Sequence, residues 1–363
     1  MHLFPTLRNY KKENLGKDIL AGLIIMAVSI PISMGYAQIA GLPAVYGLYG
    51  SVLPILFFAV FSTSPQFIFG VDAAPAALVG SALLSMGIES GSEEAMRAVP
   101  VLTLFVALWL FAFSYMKAGK LVNYISAPVM GGFITGICTT IILMQIPKLF
   151  GGSAGVGEFF ELAVHIGESL EKLNLPSLLL GLFALFILLL SKKLIPKFPM
   201  AVLLMAAGAC MTKFLSLKKW GVVTLSAVDP GLMPFALPDL SVIPVREAVT
   251  ISLSVAIVIM AETLLAENSF AQKNGYRIND NQEIFAFAMG NLIAALTGCC
   301  PINGSVSRTA MGEQYQARTQ LTGIVAGISM LVLLLGGTGF IGYLPVPILT
   351  AIVISALLGA TEF

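Results

Sequence analysis

Residues 300–313 read CPINGSVSRTAMGE and set an arginine, Arg308, in the middle of membrane-like sequence. The apolar run from Ile284 to Cys299 precedes the stretch, and the run from Leu321 to Phe340 follows it. An arginine at the centre of a span costs about 2.5–3.5 kcal/mol on insertion scales. A chain bears that cost where the charge faces a polar cavity or another charge, which makes the stretch a candidate binding site. Pro301, Gly304, Ser305 and Ser307 end one helix and start another. A helix starting at that depth turns its first N–H groups toward whatever precedes Ser305, and those donors with the guanidinium beside them favour an anion.

A second stretch breaks the membrane pattern in the same way. FSTSPQFIFGVDAAPAALVG (61–80) also holds an extended, turn-rich piece followed by a helix that begins inside the membrane. Interrupted segments at matching places in two halves are the mark of an inverted-repeat transporter, in which half-helices meet at a midplane site. Irregular backbone survives at that depth only where it is buried in protein or lines a cavity.

The rest of the composition agrees. Of the 363 residues, 57% are hydrophobic and 11% charged, against about 25% charged in a soluble domain. The chain reads as an all-α polytopic membrane protein. Apolar segments fall at 18–38, 43–62, 71–88, 97–117, 122–148, 175–193, 198–214, 246–267, 282–299, 319–340 and 345–359, with a short helix near 305–314. Gly157–Lys172, with Glu158, Glu161, Glu168 and Glu171 among leucines and phenylalanines, reads as an amphipathic surface helix. Lys117, Lys120, Lys192, Lys193 and Arg318 fall on one side if the N-terminus is cytoplasmic, as the positive-inside rule prefers; Lys213, Lys218 and Lys219 fall on the other. The expected location is a bacterial inner membrane. The repeats follow as a cytoplasmic segment 1–17, a first repeat 18–214, an extracytoplasmic loop 215–245 and a second repeat 246–363.

Several function classes drop out. Cys138, Cys210, Cys299 and Cys300 form no C-x-x-C pair, and the histidines are His2 and His165, so no zinc or disulfide framework is expected. No nucleophile–base pair or nucleotide loop suggests an enzyme, no cofactor is called for, and a net charge of +1 gives no reason to expect nucleic acid.

The candidate residues each carry two readings. Arg308 is an anion ligand, or a structural charge paired with Asp72 or Glu262. Ser305, Ser307 and Thr309 touch substrate or serve as ordinary caps. Asp72 caps the helix that follows it, or enters the cavity, where it would repel an anion unless protonated, paired with Arg308 or holding a cation. Glu262 lies deep in SVAIVIMAETLLAENSF, where an ionisable residue is functional by default, and suits a coupling site for H⁺ or Na⁺. Glu267, about 7.5 Å further along the helix, reads as a solvated or interfacial charge. Pro31 kinks or unwinds the first span. Gly132 and Gly136 form a small-residue packing face.

The runs PISMGYAQIAGLPAVYGLYGSVLP (31–54), FAQKNGYRINDNQEIFAFAMGNLIAALTGCCPINGSVSRTA (270–310) and ARTQLTGIVAG (317–327) resemble the SulP family of sulfate-permease-type anion transporters. The resemblance covers nearly the whole chain. It implies a seven-plus-seven inverted-repeat fold, similar to the uracil permeases, with a core domain (spans 1–4 and 8–11) and a gate domain (spans 5–7 and 12 onward). It also implies an anion site between the N-termini of the third and tenth helices, which puts Ala73, Ser305, Ser307 and Arg308 at substrate positions and Glu262 at the acidic position of the eighth span. Asp72 stands where the family has Gly-Pro and a small or aromatic residue. A glutamine common in the first span is replaced near Ile32, with Tyr36 one turn later as an aromatic substitute. The resemblance further implies a missing last pair of gate spans, a missing cytoplasmic STAS domain, and homodimers. The function expected is secondary transport of bicarbonate, sulfate or a dicarboxylate, coupled to H⁺ or Na⁺ by a rocking or elevator motion. A nucleobase permease of the same fold and a non-transporting scaffold are the alternatives, and Arg308 argues against the first.

Overall fold

A computed structural model describes residues 3–8, 10–122, 127–155, 159–195 and 198–360. The elements in chain order are α1 (Leu15–Ile39), α2 (Val45–Gly50), α3 (Leu53–Phe61), β1 (Phe69–Gly70), α4 (Ala73–Ser85), α5 (Glu93–Tyr115), α6 (Gly119–Val122), α7 (Ala127–Leu149), α8 (Phe159–Leu170), α9 (Leu175–Leu194) and α10 (Met200–Leu215). They continue with α11 (Val245–Asn274), α12 (Asp280–Leu296), β2 (Asn303–Gly304), α13 (Val306–Gln314), α14 (Leu321–Val332) and α15 (Val346–Ala360). The chain divides into two units, one from Met1–Gly132 with Leu232–Leu331 and the other from Phe133–Gly231 with Val332–Phe363.

The first unit is organised around the two interrupted segments. β1 and β2 pair antiparallel, Phe69 opposite Gly304 and Gly70 opposite Asn303. Each strand runs within a few residues into a short helix, α4 or α13, so the two helix N-termini flank one ladder. Such backbone has no water to bond, so its groups must be satisfied by protein. Asn291 in α12 supplies part of this, accepting from Ile302 N and donating to Ile302 O. Thr309 supplies more, its Oγ1 accepting from Ile68 N while donating to Ser305 O. Behind β1, the rings of Phe58, Phe69 and Phe287 stack with centroids 4.7 Å (58–69) and 5.4 Å (69–287) apart. Gly304 is required at its position: a Cβ there would lie 2.2 Å from the Phe67 ring and 2.5 Å from Thr263 Cγ2.

In the second unit, α9 shows why this chain needs lipid. It buries Ser177, Gly181, Ala184, Leu188 and Ser191 while Leu179, Phe183, Phe186 and Leu190 stay exposed. Apart from Leu188, small residues face protein and large apolar ones face outward, the arrangement expected where the surrounding solvent is hydrocarbon. Among the described residues, 5 helices are long and apolar enough to cross a membrane, with shorter apolar helices beside them.

Several boundaries differ from the sequence expectation, each for a local reason. The span expected at 43–62 is two helices broken at Ser51–Val52, because Pro54 stands at the start of α3 and its missing N–H cannot continue the preceding helix. The span expected at 319–340 is regular only to Val332. A π-helical turn (Leu333–Gly337) and a 3₁₀ segment (Thr338–Tyr343), rich in glycine, follow it. α11 runs on to Asn274, well past the expected end at 267, and stops where Gly275 takes a left-handed φ of 72°. Helix α1 is continuous through Pro31, so the unwound alternative falls. The amphipathic helix is Phe159–Leu170; Gly157 and Glu158 lie outside the described residues.

Candidate functional site

Arg308 lies in the first turn of α13 and is wholly buried. Its Nη2 donates to Val71 O at 2.7 Å and stands 3.6 Å from Asp72 Oδ2, while Nη1 reaches Ser29 Oγ at 3.4 Å. The guanidinium of one half-helix therefore holds the residues that open the other. Its Nε has no partner among the described residues. Tyr36, buried in α1, lies within electrostatic reach of the same guanidinium.

Asp72 combines the two roles that the sequence set against each other. It caps α4, Oδ1 accepting from Ala73 N at 2.8 Å, and it pairs with Arg308 through Oδ2. The buried Ala73 N–H is thus already occupied. On α13, Ser305 stands at the N-cap position without a side-chain cap bond, and its own N–H donates to Ile68 O at 2.8 Å. The Ser305 and Ser307 hydroxyls lie 3.4 Å apart. Of Ser305, Ser307 and Thr309, Ser307 is the partly exposed one.

Glu262 approaches from α11. Its Oε2 accepts from Asn303 Nδ2 at 2.7 Å, and it lies within electrostatic reach of Asp72. Asn303 Oδ1 in turn accepts from Thr263 Oγ1 and, at 2.8 Å, from Gly304 N. The cluster joins one cation, Arg308, to two acids, Asp72 and Glu262, beside two helix N-termini. Among the described residues no group of three or more His, Cys, Asp or Glu side chains could hold a metal ion.

Asn303, Thr263 and Ser29 were not singled out from sequence. Asn303 looks like a turn residue in PINGS until strand pairing sets it against Glu262. Glu267 is a correction: it is fully buried, with no donor reaching either carboxylate oxygen, where an interfacial charge was expected. The misreading came from position along the helix, which gives depth but not the neighbouring chain.

A family model described as the sulfate permease family matches residues 15–362. A protein named "Probable sulfate transporter MT1781" from Mycobacterium tuberculosis is 29% identical over 351 residues, covering 97% of this chain and 62% of that protein. Sulfate transporter 2.1 of Arabidopsis thaliana is 29% identical over 371 residues, covering 98% and 55%. The chain thus spans only part of the length of these relatives. The fold matches SLC26A9 with a TM-score of 0.86 at 22% identity, over 98% of this chain and 59% of that one. It also matches the transmembrane domain of a cyanobacterial bicarbonate transporter, BicA, with a TM-score of 0.83 at 19% identity, over 97% and 90%. Both likenesses bear on fold alone.

Proposed function

The chain belongs to the sulfate permease family, and we propose that it forms the membrane part of a secondary active transporter for a small anion. The observation that carries this reading is the buried Arg308–Asp72 pair between the N-termini of α4 and α13. Partial positive charge from two helix ends converges there, next to a guanidinium that is already held in place. The anion sits against the Ser305 and Ser307 hydroxyls and the first N–H groups of α13, with Tyr36 and Ala73 on the opposite side. Arg308 supplies the background charge, and Ser307 makes the direct contact.

Glu262 and Asp72 take the coupling cation, H⁺ or Na⁺. One guanidinium against two carboxylates leaves no surplus positive charge, so an anion enters with a cation. The Mycobacterium tuberculosis relative is named a probable sulfate transporter, the Arabidopsis thaliana one a sulfate transporter, and the BicA domain belongs to a bicarbonate transporter; bicarbonate, sulfate and dicarboxylates are the substrates to test. The first unit carries the site and the second serves as the gate, in an elevator or rocking cycle with the N-terminus in the cytoplasm of a bacterial cell and homodimers as the assembly.

The test is uptake of labelled bicarbonate, sulfate and fumarate into proteoliposomes under imposed pH and Na⁺ gradients. Gradient-driven uptake of one of them by the wild type, lost in Arg308→Gln, is the expected result. Uptake unchanged in Arg308→Gln would remove the anion site from α13.

A further inference from the structure

A second group of buried acids lies further along α11, beyond Glu262. Glu267 in α11 and Glu283 in the first turn of α12 are both fully buried, and their carboxyl groups face each other. Two adjacent carboxylates cannot both stay ionised in a low-dielectric interior unless a cation compensates them. The ion pairs among the described residues are Arg97–Asp239, Lys273–Glu313 and Arg308–Asp72, and none of them reaches this pair.

The hydrogen bonds decide which acid is the anion. Glu283 Oε2 accepts from Ser62 Oγ at 2.8 Å, and Oε1 accepts from both Thr63 N and Thr63 Oγ1. Thr63 N–H can only donate, which fixes Glu283 Oε1 as an acceptor. Asn279 N donates to Thr63 Oγ1 at 2.9 Å and Ser64 N to Ser62 Oγ at 3.0 Å. Ser62 Oγ also lies 3.4 Å from Ser64 O, but its shorter contact is the 2.8 Å one to Glu283 Oε2, which its proton serves. Glu267 receives no donor at either oxygen. A buried carboxylate without a single donor is the costliest arrangement available, whereas a neutral acid can give its own O–H to Glu283.

We propose that Glu267 and Glu283 form a proton-binding site, in which Glu267 carries the proton and Glu283 accepts from it. The ligand is a proton rather than a larger cation because Glu283 Oε1 already accepts from two donors and Oε2 from one, which leaves a single lone pair for the Glu267 O–H and no open set of ligands for a metal ion. The titratable neighbours add no positive charge. Asp280 of α12 and Tyr276 of the turn between α11 and α12 face the pair; the Tyr276 hydroxyl lies 3.5 Å from Ser64 Oγ. Glu313 of α13 faces Tyr276 and is held by Lys273 at 2.7 Å. Lys117 and Lys120, on the α5–α6 side, are exposed.

The site is placed to matter. Glu283 pins residues 62–63 just before β1, as Glu262 pins Asn303 in β2. Losing the proton would set two like charges against each other at that clamp and loosen the segment leading to Asp72. The inference concerns protonation of the chain and stands apart from the identity of any transported anion.

The test is infrared difference spectroscopy of the purified full chain across a pH series, in a Glu262→Gln background so that Glu262 adds no signal. The expected result is a protonated-carboxyl carbonyl band at neutral pH that disappears in Glu267→Gln. Glutamine there keeps an N–H donor for Glu283 and carries no charge, so this variant folds. In Glu283→Gln the amide offers Glu267 a donor and removes the opposing charge, so the band titrates away at a lower pH than in the parent. A Glu267→Gln spectrum superimposable on its parent would overturn the proposal. Should Glu267→Gln yield no folded protein, an unshifted band midpoint in Glu283→Gln overturns it instead.

Discussion

The Arg308–Asp72 pair invites a double-mutant cycle that separates structure from transport. At the observed 3.6 Å, unit charges attract by about 4–5 kcal/mol at an effective dielectric of about 20. Arg308 is wholly buried and the Asp72 side chain is 17% exposed, so screening by water is slight but each ion has lost hydration. The net coupling is therefore about 2–4 kcal/mol, below the Coulomb figure because desolvation offsets part of it. Arg308→Gln leaves the partly buried Asp72 with only the Ala73 N–H as a donor, and its melting temperature in detergent falls. Asp72→Asn leaves an uncompensated guanidinium and also destabilises. Asp72→Asn/Arg308→Gln removes both charges and regains most of the lost stability, since a buried pair replaced as a whole costs little. Uptake responds differently: both variants that lack Arg308 stay inactive, because the positive pole of the Arg308–Asp72 dipole and the hydrogen bond that holds Val71 O beside the start of α4 are gone. Wild-type uptake by the double variant would refute the anion role and leave Arg308 as structure alone. Additive stability losses, with no coupling, would show that the pair does not form.

Three further outcomes follow from other contacts. Glu262→Gln keeps a side chain that can accept from Asn303 but cannot bind a cation, so uptake loses its dependence on pH or Na⁺ while the fold persists; an unchanged dependence in the proteoliposome assay would end the coupling role. Gly47→Ala places a Cβ 1.9 Å from the Ser33 carbonyl oxygen, a backbone atom that cannot move aside, and should cost about 1–3 kcal/mol or more in a melting or yield measurement. Asp239 accepts from the Ser241 side chain and backbone and from Arg97, which pull its carboxyl from 3.8 down to about 2. A depressed acid contributes stability above its unfolded value and loses it as pH falls through the folded one. Asp239→Asn is accordingly less stable than wild type at neutral pH, and the gap in melting temperature should close as pH drops toward about 2.

The parts of this site that could be read from sequence were those whose signal is local. Arg308 among apolar residues, Asp72 at a helix start and Glu262 inside a long hydrophobic run each violate their surroundings within a few positions. The interrupted segments were legible for the same reason, as Gly and Pro do not belong inside a span unless the backbone is irregular there. The parts that escaped depend on which chain lies opposite. Glu283 looks like an acid complementing the dipole of α12, because nothing in DNQEIF shows that Ser62 and Thr63 will close over it. Hydropathy also hid the break at Ser51–Val52, since apolar residues flank it closely and only the Gly50–Ser51 step and Pro54 mark the place.

The charges of the site, taken together, constrain what the chain can carry. Arg308 is matched by Asp72, so the pair presents a dipole and contributes little net charge to an incoming anion. What remains attractive is the pair of half-helix ends, each worth about half an elementary charge. Against them stands Glu262, whose ionised form would cancel that attraction. On the proposed reading the site therefore binds its anion only when Glu262 has taken up a cation, which makes coupling a condition of affinity rather than an added step. A monovalent anion such as bicarbonate then nearly balances the helix ends, whereas sulfate brings a second charge that this chain must neutralise with a further cation. Asp72, where the resembled family has Gly-Pro and a small or aromatic residue, is what creates that requirement. Neutralising it in Asp72→Asn trades lost stability for a site with surplus positive charge, one better suited to a divalent anion than the wild type.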